Sequence, residues 1–149
     1  MLRYQTDHYG SGPMKQNSLV AKKELITFLL DPESYPHRPK RVHLVQTHAS
    51  YLFLGFPCVY KVKKKVNFGF LDFSSLENRR YYSEREVILN RRLCPEIYLG
   101  VIPISLSAGK LTFGEGGKVV EYAVKMRKLQ DRYFMLRLLH HDQVTRARA

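Results

Sequence analysis

Three short segments dense in β-branched and aromatic residues, RVHLVQTH (41–48), YLFLGF (51–56) and CVYKVKKKV (58–66), follow one another with only a few residues between them. Runs of this composition bounded by turn residues read as strands. The joints, Thr47-His48-Ala49-Ser50 and Gly55-Phe56-Pro57, are short, so the three strands form an antiparallel meander. Any fold for this chain has to be built around that sheet.

On either side of it the pattern changes period. From Asn17, the residues Leu19, Val20, Ala21, Leu25, Ile26, Phe28 and Leu29 recur at helical spacing until Asp31-Pro32 stops the run. After the meander, residues 74–93 are rich in helix formers, with Ser74 or Ser75 as N-cap and Glu77 in the first turn, and Cys94-Pro95 ends them. Two more strands follow, 100–106 and 119–126, joined by a glycine-rich hairpin containing Ser107-Ala108-Gly109 and Gly114-Glu115-Gly116-Gly117. In the second strand Val120, Tyr122, Val124 and Met126 alternate with Glu121, Ala123 and Lys125, the pattern of a half-buried strand. A last helix is predicted from Asp131, and residues 1–16 read as a flexible leader.

A chain of 149 residues can bury a sizeable core, and its 44% apolar and 12% aromatic content excludes a disordered tail. With 25 Lys and Arg against 13 Asp and Glu, the net charge of +12 favours phosphates, nucleic acid or acidic partners. Charge alone does not choose among them. Cys58 and Cys94 lack zinc-ligand spacing and read as buried, reduced thiols. No run of 18 apolar residues occurs, which predicts a cytoplasmic protein with no membrane partner.

The chemistry concentrates in VYKVKKKVNFGFLDFSSLENRRYYSEREVILNRRL (59–93), where a strand delivers a lysine and a charged helix can return a glutamate to it. A strand lysine presents a point charge to the α/β-phosphates of ATP, and a helix carboxylate keeps the ammonium aimed at the ligand. Lys61 and Glu86 are assigned these roles, with Lys63 on the same strand face and Glu84 on the helix as the competing pair. Plainer readings stand beside these. Lys61 belongs to a basic run with Lys63, Lys64 and Lys65, Glu86 fits an ordinary surface carboxylate, and Arg79, Arg80, Arg85, Arg91 and Arg92 fit a solvated helix face. His48 reads as a turn residue, and His140 and His141 as part of a charged helix end. The segment GEGGK (114–118) is followed by valine, so it is no Walker loop.

The segments HLVQTHASYLFL (43–54), VYKVKKKVNFGFLDFSSLENRRYYSEREVILNRRLCPEIYLGVIPI (59–104) and VVEYAVKMRKL (119–129) resemble the aminoglycoside phosphotransferase-like family. They are most similar to a bacterial subgroup whose kinase-like region is often fused to a P-loop ATPase or gluconate-kinase-like domain. The resemblance spans roughly residues 22–145. It implies an α+β, protein-kinase-like N-terminal lobe: an antiparallel sheet of about five strands with a C-type helix, flanked by N- and C-terminal helices. It also implies ATP as cofactor, with Lys61 anchoring phosphate, Glu86 pairing with it, and Met126, Arg127, Lys128 and Leu129 at an interlobe hinge whose backbone meets adenine.

The resemblance stops short of a complete enzyme. Kinases of this fold use a His-x-Asp-x-x-x-x-Asn loop and a later metal-binding Asp. Here His140 and Asp142 give only the first part of that spacing, and no Asn occurs after residue 90. Thr47-His48-Ala49-Ser50 also stands where many kinases place a glycine-rich phosphate cover. The expected organisation is therefore a leader (1–16), a kinase-like lobe (17–130) and the first helix of a truncated second lobe (131–149). Such a chain contacts ATP weakly, takes Mg²⁺ only with a second lobe or an adjacent P-loop ATPase domain as partner, and transfers no phosphoryl group alone. The rival reading is a basic, non-enzymatic protein holding RNA or single-stranded DNA by charge and stacking, although no RRM, KH or OB pattern appears.

Overall fold

A computed structural model describes residues 20–129. The chain is α+β, with one antiparallel sheet and a long helix on one of its faces. In chain order the elements are helix α1 (Lys22–Leu30), a 3-10 turn (Pro32–Ser34), strands β1 (His43–Gln46), β2 (Ser50–Gly55) and β3 (Cys58–Lys63), helix α2 (Leu76–Arg91), and strands β4 (Tyr98–Ser107), β5 (Lys110–Phe113) and β6 (Lys118–Arg127). The leader, the helix predicted from Asp131 and the His140–Asp142 spacing lie outside the described residues.

The sheet order is β1-β2-β3-β6-β4-β5, so the last strand is inserted between the third and the fourth. Val59 faces Met126 and Lys61 faces Val124 across β3 and β6, while Val101 faces Val124 across β4 and β6. The expectation of about five strands is corrected to six. The extra strand, KLTF, folds back on β4 through Ala108 and Gly109, whose φ angles of 48° and 74° make a left-handed turn that glycine accommodates. The glycine-rich segment is thus two turns with a strand between them, and only Gly114–Gly117 leads into β6.

A second correction concerns β6. Its central place covers both faces: Glu121 and Ala123 are as buried as Val124 and Met126, so the strand is not half-exposed. On one face Tyr51, Phe53, Tyr60, Val62 and Ala123 pack with Leu29 of α1 and with Tyr35, whose hydroxyl donates to the Leu29 carbonyl. On the other, Leu52, Val59, Val124 and Met126 pack with Val87 of α2 and with Ile97 and Tyr98. Cys58 is buried, whereas Cys94 is only half-buried, and the two are not joined by a disulfide.

Helix α2 starts where its sequence provides a cap, the Ser75 hydroxyl accepting from the Asn78 amide at 3.1 Å. Glu77 sits in its first turn and Arg91 in its last, both favourable to the helix dipole. Its amphipathicity is inverted. The buried positions are Arg79, Ser83 and Val87, while Tyr81, Ile88 and Leu89 are exposed. A helix with one buried apolar residue cannot dock by hydrophobic area alone, and ion pairs supply the rest.

Candidate functional site

Side chains alternate along β3, so Cys58, Tyr60 and Val62 enter the core beneath α1, and Val59, Lys61 and Lys63 point to the α2 side. Glu86 lies one turn along α2 from Ser83 and faces those lysines. Its Oε1 accepts from Lys61 Nζ at 3.1 Å and its Oε2 from Lys63 Nζ at 2.6 Å. The two lysines, weighed as alternatives from the sequence, share one carboxylate. Glu84 faces solvent and pairs with Arg80 at 2.9 Å.

The site is enclosed. The Lys61 and Lys63 side chains are 5% and 6% exposed, and that of Glu86 is 15% exposed. Burial pushes the Glu86 carboxyl up, but the charges and hydrogen bonds of the two ammoniums outweigh it and hold the pKa down at about 2. Glu86 is therefore ionised at neutral pH, and among the described residues two ammoniums share its one carboxylate. Lys63 also lies 5.3 Å from the centre of the Phe73 ring.

Sequence reasoning missed a second ion pair. Arg79, read there as part of a solvated helix face, is 2% exposed, as is Glu121 of β6. Arg79 Nε donates to both Glu121 oxygens at 2.9 and 3.1 Å, and Nη1 donates to the carbonyls of Phe73 and Ser74 at 2.9 and 3.0 Å. Burial raises the Glu121 carboxyl above its ordinary value, and the Arg79 guanidinium pulls it back only in part. The available signal was Glu121 itself, the one acid in the 118–129 segment, since a carboxylate in a central strand requires a cation.

The hinge assignment falls on the end of β6. Met126 is buried within the sheet, Arg127 is exposed, and Lys128 and Leu129 are half-buried. The Arg127 amide donates to the Ile97 carbonyl and the Lys128 amide to the Pro57 carbonyl, each at 2.8 Å. Adenine would have to meet this stretch through other backbone groups. The Thr47–Ser50 joint is a closed turn in which the Ser50 amide donates to Thr47 Oγ1 at 3.0 Å and the Thr47 amide to the Ser50 carbonyl at 2.9 Å. His48 is exposed on it.

Among the described residues no three His, Cys, Asp or Glu side chains gather as a metal site, and no helix is long and apolar enough to cross a membrane. Against known protein families, curated proteins and solved structures, the chain finds no match.

Proposed function

We propose that this chain is a kinase-type lobe that anchors nucleotide phosphates, with Lys61 as the anchoring cation and Glu86 as the group that aims it. The observation supporting this reading is the 3.1 Å contact between Lys61 Nζ and Glu86 Oε1, made between a central strand and the helix that follows it. An adenine ring would lie against the rim of the neighbouring apolar cluster, where Val45, Leu54 and Leu129 are half-buried. The chain's own residues bind and orient phosphate in this scheme. Mg²⁺ and the groups that activate an acceptor hydroxyl would come from a second lobe or an adjacent P-loop ATPase domain, because no His-x-Asp-x-x-x-x-Asn loop occurs in the sequence. The chain alone transfers no phosphoryl group.

Calorimetric titration with ATP tests this. Weak binding is expected, with Kd on the order of 0.1–1 mM, because one lobe forms one wall of the cleft. Lys61→Ala keeps the Lys63–Glu86 pair and hence the docking of α2, and should weaken ATP about tenfold or more, as expected for loss of a charge-assisted contact. Unchanged affinity in Lys61→Ala, or no binding by the parent chain at millimolar ATP, overturns the assignment.

A further inference from the structure

Two cavities among the described residues are lined by neither Lys61 nor Glu86. One, of about 530 Å³, lies at the end of the sheet where β3 runs out into Lys64, Lys65 and Val66 and β6 begins at Lys118. Lys22 and Leu25 of α1 border it on one side, and Ser74, Leu76 and Arg79 at the start of α2 on another. Its volume falls within the roughly 300–1,000 Å³ of small-molecule sites.

The lining is one-sided in charge. Among the described residues, Lys22, Lys63, Lys64, Lys65, Arg79 and Lys118 line it with a single carboxylate, Glu121. Arg79 already binds that carboxylate through both oxygens, and Lys63 is engaged by Glu86. Among the described residues, no carboxylate forms a salt bridge with Lys22, Lys64, Lys65 or Lys118. Instead Lys22 and Lys64 crowd the Tyr51 ring, at 5.5 and 4.8 Å from its centre. Like charges gathered in a concave site repel one another and focus a positive potential into it, so an entering polyanion relieves repulsion as well as gaining hydrogen bonds. The walls between the cations are apolar: Leu25, Val62, Leu76, Val119 and Val120. Inorganic phosphate would leave these uncovered.

We propose that this cavity is a binding site for a small phosphorylated compound with an apolar body, its phosphate held by Lys64 and Lys118 and its body laid against Val119, Val120 and Leu76. The site is separate from the Lys61–Glu86 cluster and touches it only through Lys63.

Titration of the full chain with 1-naphthyl phosphate and with inorganic phosphate tests the proposal. The naphthyl ester should bind about tenfold tighter or more, the apolar ring providing the difference. Lys64→Ala/Lys118→Ala removes two cations that make no salt bridge to a described carboxylate and should weaken the ester about tenfold or more. Lys23→Ala/Lys110→Ala, which removes two exposed lysines outside the lining, should change it less than about twofold. Lys61→Ala should also change it less than about twofold, so failure here and failure of the ATP assignment are told apart. Amide chemical-shift changes should gather at residues 62–66 and 118–121. Equal losses in the two double variants make the effect a diffuse field and overturn the site. An ester no tighter than inorganic phosphate overturns the apolar body, and an oligonucleotide that displaces the ester at far lower concentration overturns the small-molecule assignment in favour of nucleic acid.

Discussion

Arg79 and Glu121, 42 residues apart in sequence, close a buried ion pair that fastens the first turn of α2 to the central strand β6. Removing one partner strands the other charge in the core. Arg79→Ala should therefore cost about 3–5 kcal/mol of stability in urea unfolding, while Arg79→Met/Glu121→Leu, which removes both charges, should recover most of it. A single substitution costing less than about 1 kcal/mol would show that the pair is solvated, as an exposed one is.

Acid should release the other end of the same helix. The Glu86 pKa is lowered from 4.5 to about 2, so its contribution is fully present above 4.5 and is lost as pH falls toward 2. Its size follows from the shift and is roughly 2–4 kcal/mol. Glu121, whose pKa is raised, has the opposite sign: its burial favours the folded state at low pH and weighs against it as pH rises through its folded value. Unfolding midpoints measured from pH 7 to 2 should fall steeply below 4.5 in the parent chain, and Glu86→Gln should start lower and flatten over that window.

The two lysines on Glu86 should behave as partial substitutes for each other. Lys61→Met or Lys63→Met each leaves one ammonium on the carboxylate and should cost about 1–2 kcal/mol. With both replaced, Glu86 has lost its two ammonium partners in an enclosed site, and the cost should exceed the sum of the singles by about 0.5–3 kcal/mol. Strict additivity in chemical denaturation would mean that the two contacts are independent.

Gly117 is fixed by a close approach. A Cβ there would stand 2.3 Å from the Leu106 carbonyl oxygen and 2.8 Å from its carbon, both backbone atoms of the paired strand. Gly117→Ala should therefore cost about 1–3 kcal/mol, the range for overpacking. At Gly116 the nearest atom is Thr112 Oγ1 at 3.9 Å, and the same substitution should stay within about 0.5 kcal/mol. Thermal unfolding of the two variants side by side decides this.

The strongly patterned elements were legible without coordinates. The expected segment 51–56 covers β2 except for its first residue, Ser50, segment 58–66 contains β3, and residues 74–93 contain α2, with Ser75, one of the two candidate caps, as its cap. The contact between Lys61 and Glu86 was legible too, because a strand lysine followed by a charged helix limits where the carboxylate can return. What stayed hidden depended on pairing between distant segments. KLTF has four residues, too few for a period to emerge, and it becomes a strand only because β4 offers an edge from Ile104 onward. The alternation in VVEYAVKM predicts one buried face for any strand that borders solvent. Only the insertion of β6 between β3 and β4 buries Glu121, and with it selects Arg79 from a set of arginines that look alike along the helix. The sharing of Glu86 was missed for a simpler reason: lysines two apart on a strand lie on one face, and one carboxylate has two oxygens.

The place of β6 also sets when this sheet can exist. During synthesis β1, β2 and β3 can zip together first, and β4 can fold onto β5 independently, but the two pieces have no common border until the segment 118–127 emerges and slots between them. Until then the nascent chain shows two unpaired strand margins, one along Cys58–Lys63 and one along Tyr98–Ser107, each able to accept a foreign strand. The sheet is completed only by this long-range closure, the kind of non-local pairing whose loop-closure entropy slows folding.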